Sequence, residues 1–277
     1  MGVVFDYDSL FSLESQPHVP SGLSYSSTVS QFITALNRIG VGSEVLSRED
    51  RFSDYRVLIA PLLHLCDAET AQRLEEYVRD GGVLILTARS GVKDMSNAIV
   101  DQYLPGLLRE LAGCYVEEYD AFSSNSDLEV FCLDSSGDSY RGEGLAEVLV
   151  PLSAESVLTY GNRYYKGKTA ATENRVGNGR CLYLGLPLVQ SDLTRFLWTY
   201  LADTLDTIPD LPDHLEISKR IKGDNSYRFY MNHSQNTIVT DTVADGLDLL
   251  SGERISRSVQ LPPFGVLIVK ESVGADE

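Results

Sequence analysis

Apolar positions in the first 90 residues alternate between short continuous runs and stripes at helical spacing. The predicted strands are residues 2–6, 43–47, 56–60 and 83–87. One stripe begins at Ser26 or Ser27 and ends at Gly40, and the next begins at Asp67 and ends at Gly81, as helix caps predict. This β-α-β-β-α-β order predicts a doubly wound, flavodoxin-like α/β domain with a mostly parallel sheet.

Beyond residue 113 the pattern changes to short strands with turn residues between them. The predicted strands are residues 128–133, 146–150, 157–160, 169–174 and 181–186, followed by a helix from residue 191. Residues 207–213 (Thr-Ile-Pro-Asp-Leu-Pro-Asp) read as a linker. The strands predicted after it are residues 216–220, 227–232, 237–240, 246–249 and 266–270. The sequence therefore predicts a first domain at 1–206 and a small antiparallel all-β domain at 214–277.

The charge balance excludes several classes of partner. A net charge of −17 argues against nucleic acid, whose phosphates need a basic face, and against anionic membranes. An apolar run of the roughly 20 residues that span a bilayer is absent, and residues 1–6 lack the basic segment of a signal peptide. The charge fits either a halophilic source or an ordinary acidic cytoplasmic protein.

Cysteine and histidine spacing indicates neither disulfides nor metal. The four cysteines lie apart in or beside apolar stretches, which is typical of buried free thiols and favours a cytoplasmic location. A Cys or His pair with metal-ligand spacing is not found. We therefore predict no metal and no cofactor.

Several segments, in order along the chain, resemble one known family. They are residues 3–7 (Val-Val-Phe-Asp-Tyr), 58–65 (Leu-Ile-Ala-Pro-Leu-Leu-His-Leu), 81–87 with 90–91, 105–111 (Pro-Gly-Leu-Leu-Arg-Glu-Leu), 164–170, 177–185, 215–220, 229–233 and 261–266. In this order they are similar to the downstream part of the β-galactosidases of glycoside hydrolase family 42. The resemblance covers nearly the whole chain, and residues 177–179 (Gly-Asn-Gly) form a hairpin turn in both.

The resemblance implies an assembly role. In the family this part comprises a class I glutamine amidotransferase-like domain that builds a homotrimer, followed by a β domain. The catalytic barrel carries both catalytic glutamates and needs roughly 200 residues or more. Matching segments for the barrel and for either glutamate are not found here. We therefore predict no catalytic residue and a non-catalytic assembly portion, with a barrel supplied in cis or in trans.

A free-standing amidotransferase-like hydrolase is the alternative that this architecture raises. Ser90 follows a central strand, where the architecture places its nucleophile, and His214 and Glu216 spell a His-x-Glu pair. A nucleophile elbow needs small residues two positions either side, and Val92 is β-branched. Because His214 also lies past the linker, Ser90 is predicted to be an inactive turn residue.

Asp6, Tyr7 and Asp8 follow the first strand, at the carboxyl edge where open α/β sheets bind ligands. In the resembled family this edge faces a barrel, so the loop is a candidate ligand edge; a solvated acidic turn is the other interpretation. A sugar-binding accessory protein is a third function. The aromatic residues that could stack on sugars are Tyr160, Tyr164, Tyr165, Tyr227, Phe229 and Tyr230.

Leu62, Leu63, His64 and Leu65 form an apolar segment just past the third strand. Loops are normally solvated, so a loop this apolar is expected to contact a partner. The resembled family supplies a neighbouring subunit at a threefold axis, and we predict an oligomer interface here. A packed or interface histidine is the expected role of His64.

Overall fold

The structure, a computed structural model, describes residues 1–15, 23–123, 128–133, 137–205, 207 and 211–271. The chain divides into two compact units. One comprises residues 1–32 with 44–193, and the other comprises residues 33–43 with 194–277. Residues 206, 208–210 and 272–277, at the predicted linker and the predicted end of the second domain, lie outside the described residues. The boundaries at 206 and 214 stay predictions, and the helix after residue 190 groups largely with the second unit.

The helices of the described chain, of which α2 and α5 extend from the first unit into the second, and the strands of the first unit have the following bounds. The helices are α1 (Tyr7–Glu14), α2 (Tyr25–Arg38), α3 (Ala68–Arg79), α4 (Arg109–Ala112) and α5 (Gln190–Leu201). The first strands are β1 (Gly2–Val4), β2 (Glu44–Leu46), β3 (Val57–Ala60), β4 (Val83–Thr87) and β5 (Cys114–Ala121). The others are β6 (Leu128–Cys132), β7 (Ser139–Gly142), β8 (Leu145–Pro151), β9 (Glu155–Tyr160), β10 (Thr169–Val176) and β11 (Gly179–Leu184).

These strands form one mixed sheet of eleven strands in the order β2-β1-β3-β4-β11-β10-β9-β6-β7, with β8 pairing β10 and β5. The predicted α/β class is confirmed. The expectation of a mostly parallel sheet is wrong, because parallel pairing joins only β2, β1, β3, β4 and β11. The predicted two-residue turn pairs Val176 with Gly179 and makes β10 and β11 antiparallel. Because such a hairpin reverses the chain, β11 can pair in parallel with β4 while β10, on its other side, runs antiparallel and begins the antiparallel half of the sheet.

Burial explains why β3 and β4 read as continuous apolar runs. Every residue of both strands is buried, as expected for central strands covered on both faces. Asp67 caps α3 as predicted, since its carboxylate accepts a hydrogen bond from the backbone N–H of Thr70 at 2.7 Å. The side chains of Leu58, Leu84 and Tyr183 lie together in the core of this unit.

Three elements escaped the sequence analysis of the first unit. Residues 7–14, treated as a loop, form α1, while β5 and β7 were not predicted. α1 was missed because serines and aromatic residues occupy positions where an amphipathic helix normally separates polar from apolar faces. β5 carries acidic residues at its exposed positions, which hides its alternation.

The second unit contains the small antiparallel sheet that the sequence predicts. Its strands are β12 (Leu215–Lys222), β13 (Asn225–Asn232), β14 (Ile238–Asp248), β15 (Arg254–Leu261) and β16 (Val266–Glu271), in the order β12-β13-β16-β14-β15. Two predicted strands are one continuous strand, β14, and β15 was missed. Asn232 is buried, and its amide donates to the carbonyls of Asn236, Leu261 and Pro262.

Candidate functional site

The candidate site lies at the carboxyl edge of the parallel strands. Asp6 follows β1, Leu62 follows β3, and Arg89 and Ser90 follow β4. Because β1, β3 and β4 pair in parallel, their carboxyl ends meet at one edge of the sheet. All residues predicted to form the ligand edge, the interface and the elbow are therefore close to this edge.

Asp6 is a structural residue. Its carboxylate accepts a hydrogen bond from the backbone N–H of Ser9 at 2.9 Å and so caps α1. Its second oxygen lies 3.3 Å from Nε of Arg48, and its own N–H donates to the Tyr25 hydroxyl at 2.6 Å. With these partners and a buried side chain, Asp6 anchors the helix, and its predicted ligand role stays a prediction.

Tyr7 and Asp8 occupy the first turn of α1, so the expectation of a loop at these positions is wrong. The Asp8 carboxylate pairs with the guanidinium of Arg48. An open groove of about 570 Å³ runs beside them. It is lined by Phe5, Asp6, Tyr7, Asp8, Val45, Leu46, Ser47, Arg48 and Glu49. A ligand role for Tyr7 and Asp8 stays a prediction.

The segment Leu62, Leu63, His64 and Leu65 is fully buried within the chain. The N–H of Leu62 donates to the Thr87 hydroxyl at 2.8 Å, and the N–H of Leu65 donates to the Ser9 hydroxyl at 3.1 Å. The argument that this apolar loop needs a partner subunit is therefore wrong, because the fold itself covers it. The interface at these residues stays a prediction without that support.

His64 is a packed histidine. Its Nδ1 lies 3.0 Å from the carbonyl oxygen of Arg89, while its buried Nε2 has no hydrogen-bond partner in the described part of the chain. Burial lowers the pKa of His64 to about 4. The imidazole is therefore neutral at pH 7. Its contribution to stability is complete above its ordinary pKa of about 6.5 and is lost as the pH falls toward 4.

The surroundings of Ser90 do not suit a nucleophile. The side chain is buried, and Oγ donates to the carbonyl oxygen of Thr87 at 2.7 Å. The nearby imidazole of His64 bonds to Arg89 rather than to this hydroxyl. His214 belongs to the second compact unit. These positions support the prediction that Ser90 is an inactive turn residue.

Glu147 is a buried carboxylate that the sequence analysis missed. It accepts hydrogen bonds from the backbone N–H of Arg89 at 3.0 Å and from the Tyr183 hydroxyl at 2.8 Å. Burial raises the pKa of Glu147, and the Arg89 charge opposes that shift. The signal was available, because Glu147 is the single acid in the otherwise apolar strand β8. The residue ties the turn after β4 to β8 and β11.

A sequence model described as "Beta-galactosidase trimerisation domain" matches residues 1–206, and one described as "Beta-galactosidase C-terminal domain" matches residues 214–271. The chain belongs to the glycoside hydrolase family 42 β-galactosidases. It comprises their trimerisation and C-terminal domains. This confirms the resemblance seen in the sequence.

Individual relatives agree with the family assignment. The β-galactosidase BgaA of Clostridium cellulovorans is 30% identical over 272 residues, which are 98% of this chain and 40% of that protein. The crystal structure of a β-galactosidase from Bacillus circulans sp. alkalophilus matches with a TM-score of 0.91 at 28% identity, covering 98% of this chain and 41% of that one. A β-galactosidase from the haloarchaeon Halorubrum lacusprofundi matches with a TM-score of 0.85 at 28% identity, covering 97% and 39%.

The chain spans about 40% of the length of the curated relatives that it matches. In the described residues, the helices are too short or too polar to cross a bilayer. The same residues bring together no group of three His, Cys, Asp or Glu side chains that could hold a metal ion.

Proposed function

We propose that this chain is the non-catalytic assembly portion of a family 42-type β-galactosidase. It forms a homotrimer through its first domain and works with a catalytic barrel supplied in cis or in trans. The observation that carries the proposal is the match of the trimerisation domain over residues 1–206, within an alignment that covers only about 40% of each relative. The two described units are a mixed sheet and an antiparallel sheet, and neither is a (β/α)₈ barrel.

The geometry of the carboxyl edge favours this role over an amidotransferase-like hydrolase. The Ser90 hydroxyl is buried and donates to the backbone carbonyl of Thr87. The neighbouring imidazole of His64 contacts the backbone carbonyl of Arg89 instead of this hydroxyl. Of the aromatic residues considered for sugar stacking, Tyr160, Tyr165 and Tyr230 are buried. A sugar-binding accessory role therefore has less support than assembly.

We further propose a cytoplasmic location, no resident cofactor, and no nucleic-acid or membrane partner. The four cysteines are free, and three of them are buried. Burial raises the pKa of Cys66 and Cys114 to about 12, which keeps both thiols protonated and unreactive at neutral pH. The net charge of −17 supports the exclusion of polyanionic partners.

The purified chain is expected to be a trimer at molar salt and to dissociate at low salt. Three copies at −17 each repel one another, and the Debye length shortens from about 10 Å at 0.1 M to about 3 Å at 1 M salt. Light scattering coupled to gel filtration at both salt concentrations gives the mass directly. A monomer at every salt concentration would show that the chain does not assemble by itself.

The chain alone is expected to show no turnover of a chromogenic β-galactoside. Glycoside hydrolysis by this class of enzyme requires two carboxylates facing each other across a sugar site. The most enclosed acid, Glu147, already accepts from Arg89 and Tyr183 and is fully buried. The assay is run on pure protein with a full-length relative as positive control. Turnover that disappears when one acid of this chain is mutated would overturn the proposal.

A further inference from the structure

Arg89 differs from the other partly buried arginines in what its guanidinium contacts. The others reach carboxylates or backbone carbonyls, and they are Arg48, Arg73, Arg109, Arg163, Arg180 and Arg228. The Arg89 guanidinium instead lies over the ring of Tyr119, with its central carbon 5.0 Å from the ring centroid. Within the described residues, no carboxylate lies at ion-pair distance from it. A partly buried cation normally has an anionic partner, and this chain has 40 acids from which to supply one.

The backbone at Arg89 is held in a conformation that it would not adopt by itself. Its φ of +66° lies in the left-handed region, which residues other than glycine seldom occupy. Its N–H donates to the buried Glu147 carboxylate at 3.0 Å, and its carbonyl oxygen lies 3.0 Å from Nδ1 of His64. Glu147 therefore holds the backbone of this residue and leaves the donors of its guanidinium free. Strain that a fold maintains in this way is found mostly at functional sites.

The stacked pair lies where a ligand can reach it. Arg89 directly follows β4, at the carboxyl edge of the parallel strands, which is the usual ligand edge of an open α/β sheet. Tyr119 is 57% exposed, so the pair is open to solvent and not sealed in the core. Stacking uses the face of a guanidinium and leaves its N–H edges free. Those edges match the paired oxygens of a carboxylate or a phosphate group.

We propose that Arg89 and Tyr119 form a binding site for a small oxyanion, a carboxylate or a phosphate group. The guanidinium donates two parallel hydrogen bonds, while the ring fixes its plane and offers apolar surface to the rest of the ligand. A free ion is favoured over a partner's side chain, because this guanidinium rests on its own chain and does not extend from the surface. The net charge of −17 acts at long range and is screened beyond about 8 Å at 0.15 M salt. The inference goes beyond the assembly role and does not depend on it.

The test is isothermal titration calorimetry of the whole chain in 0.15 M NaCl with millimolar D-galacturonate, D-galactose and inorganic phosphate. Galactose has a neutral hydroxymethyl group where galacturonate has its carboxylate. Galacturonate or phosphate is expected to bind, and galactose is not. Tighter binding of galacturonate assigns the site to carboxylates, and tighter binding of phosphate assigns it to phosphate groups. Binding of neither anion would overturn the proposal.

Variants locate the binding. Arg89→Gln removes the charge and the paired donors, and it is expected to weaken oxyanion binding by about 10- to 100-fold. Arg89→Lys keeps the charge without the fork and is expected to fall between this variant and the wild type. Tyr119→Phe is expected to bind as the wild type does, and Tyr119→Ala about 2- to 5-fold more weakly. The matched control is Arg56→Gln, which removes the same charge at an exposed position just before β3, and its binding is expected to be unchanged.

Circular dichroism shows that the variants are folded, as expected because Arg89→Gln keeps the backbone N–H that donates to Glu147. Anion binding that is equal in Arg89→Gln and the wild type would place the ion elsewhere and overturn the proposal. Sedimentation velocity gives the mass of each variant. If Arg89→Gln alters the mass while the wild type binds neither anion, the guanidinium pairs with a protein carboxylate and the proposal fails. The mass of the wild type decides the assembly role separately.

Discussion

Substituting alanine for Gly91 is expected to unfold most of the first unit or to destabilise it by several kcal/mol. Gly91 has φ of +63°, and a Cβ atom there would lie 2.0 Å from the carbonyl oxygen of Pro105. That oxygen belongs to backbone, which cannot rotate away as a side chain can. The left-handed conformation costs alanine about 1–2 kcal/mol, and forced overpacking adds about 1–3 kcal/mol or more. The sum is a large fraction of the free energy of unfolding of a typical domain, which is roughly 5–15 kcal/mol.

The matched control for this prediction is Gly144→Ala. Gly144 has φ of +72°, but nothing lies within 4 Å of its added Cβ. Gly144→Ala is therefore expected to lose only the conformational cost of the left-handed backbone, about 1–2 kcal/mol of stability. Urea denaturation followed by circular dichroism gives the free energy of unfolding of both variants. Equal stability of Gly91→Ala and Gly144→Ala would mean that the backbone around Gly91 and Pro105 moves apart to admit the Cβ atom without loss of stability.

Removing the Glu147 side chain is expected to have the second large effect. Glu147→Ala leaves the N–H of Arg89 and the hydroxyl of Tyr183 buried without an acceptor. Each unsatisfied donor costs about 1–3 kcal/mol, and the cavity adds to this, so a loss of about 3–5 kcal/mol is expected. Glu147→Gln keeps one acceptor oxygen for the N–H of Arg89 but leaves the Tyr183 hydroxyl without its acceptor, so a smaller loss of about 1–3 kcal/mol is expected.

The stabilities of the wild type and of Glu147→Gln are also expected to depend differently on pH. Burial raises the pKa of Glu147 above its ordinary value, so the folded state keeps its proton at a pH where the unfolded state has lost it. Wild-type stability therefore falls as the pH rises from the ordinary pKa toward the raised one, by about 1.4 kcal/mol for each pKa unit of elevation. Glu147→Gln lacks this titration. Its stability relative to the wild type is expected to increase with pH.

Urea denaturation of wild type, Glu147→Ala and Glu147→Gln between pH 4 and 8 measures both effects. The titration of His64 is common to all three chains and cancels in the differences. Glu129→Ala, on an exposed position of β6, is the control and is expected to change stability little. A constant difference between Glu147→Gln and the wild type across this pH range would contradict a raised pKa of Glu147.

Short-range patterns in the sequence were sufficient to predict many of the strands, helix caps and turns. The runs at β3 and β4, the cap at Asp67 and the turn before Gly179 were predicted where the structure has them. Each depends on residues within a few positions of one another, through strand burial, capping or turn conformation. The location of Asp6 at the carboxyl edge of the sheet followed from the same local reasoning.

The candidate site was predicted less well, because its features depend on contacts between distant residues. Asp6 looked like a free acid, and only its contacts with Ser9, Arg48 and Tyr25 show that it is committed to structure. The apolar character of residues 62–65 suggested a partner subunit, whereas the fold itself buries them. A hydrophobic segment alone does not show whether it is buried by a partner subunit or by the rest of its own chain.

The sequence by itself determined the family, the α/β class, the small antiparallel sheet after it, the net charge and most of the strands. The tertiary structure decided that half of the sheet is antiparallel, that α1 turns its serines inward and its aromatic rings outward, and that Glu147 is buried beside Arg89. The physical reason is separation along the chain. Ser12 meets Asn97 across 85 positions, and Arg89 meets Glu147 across 58, so their hydrogen bonds form only once the fold brings them together.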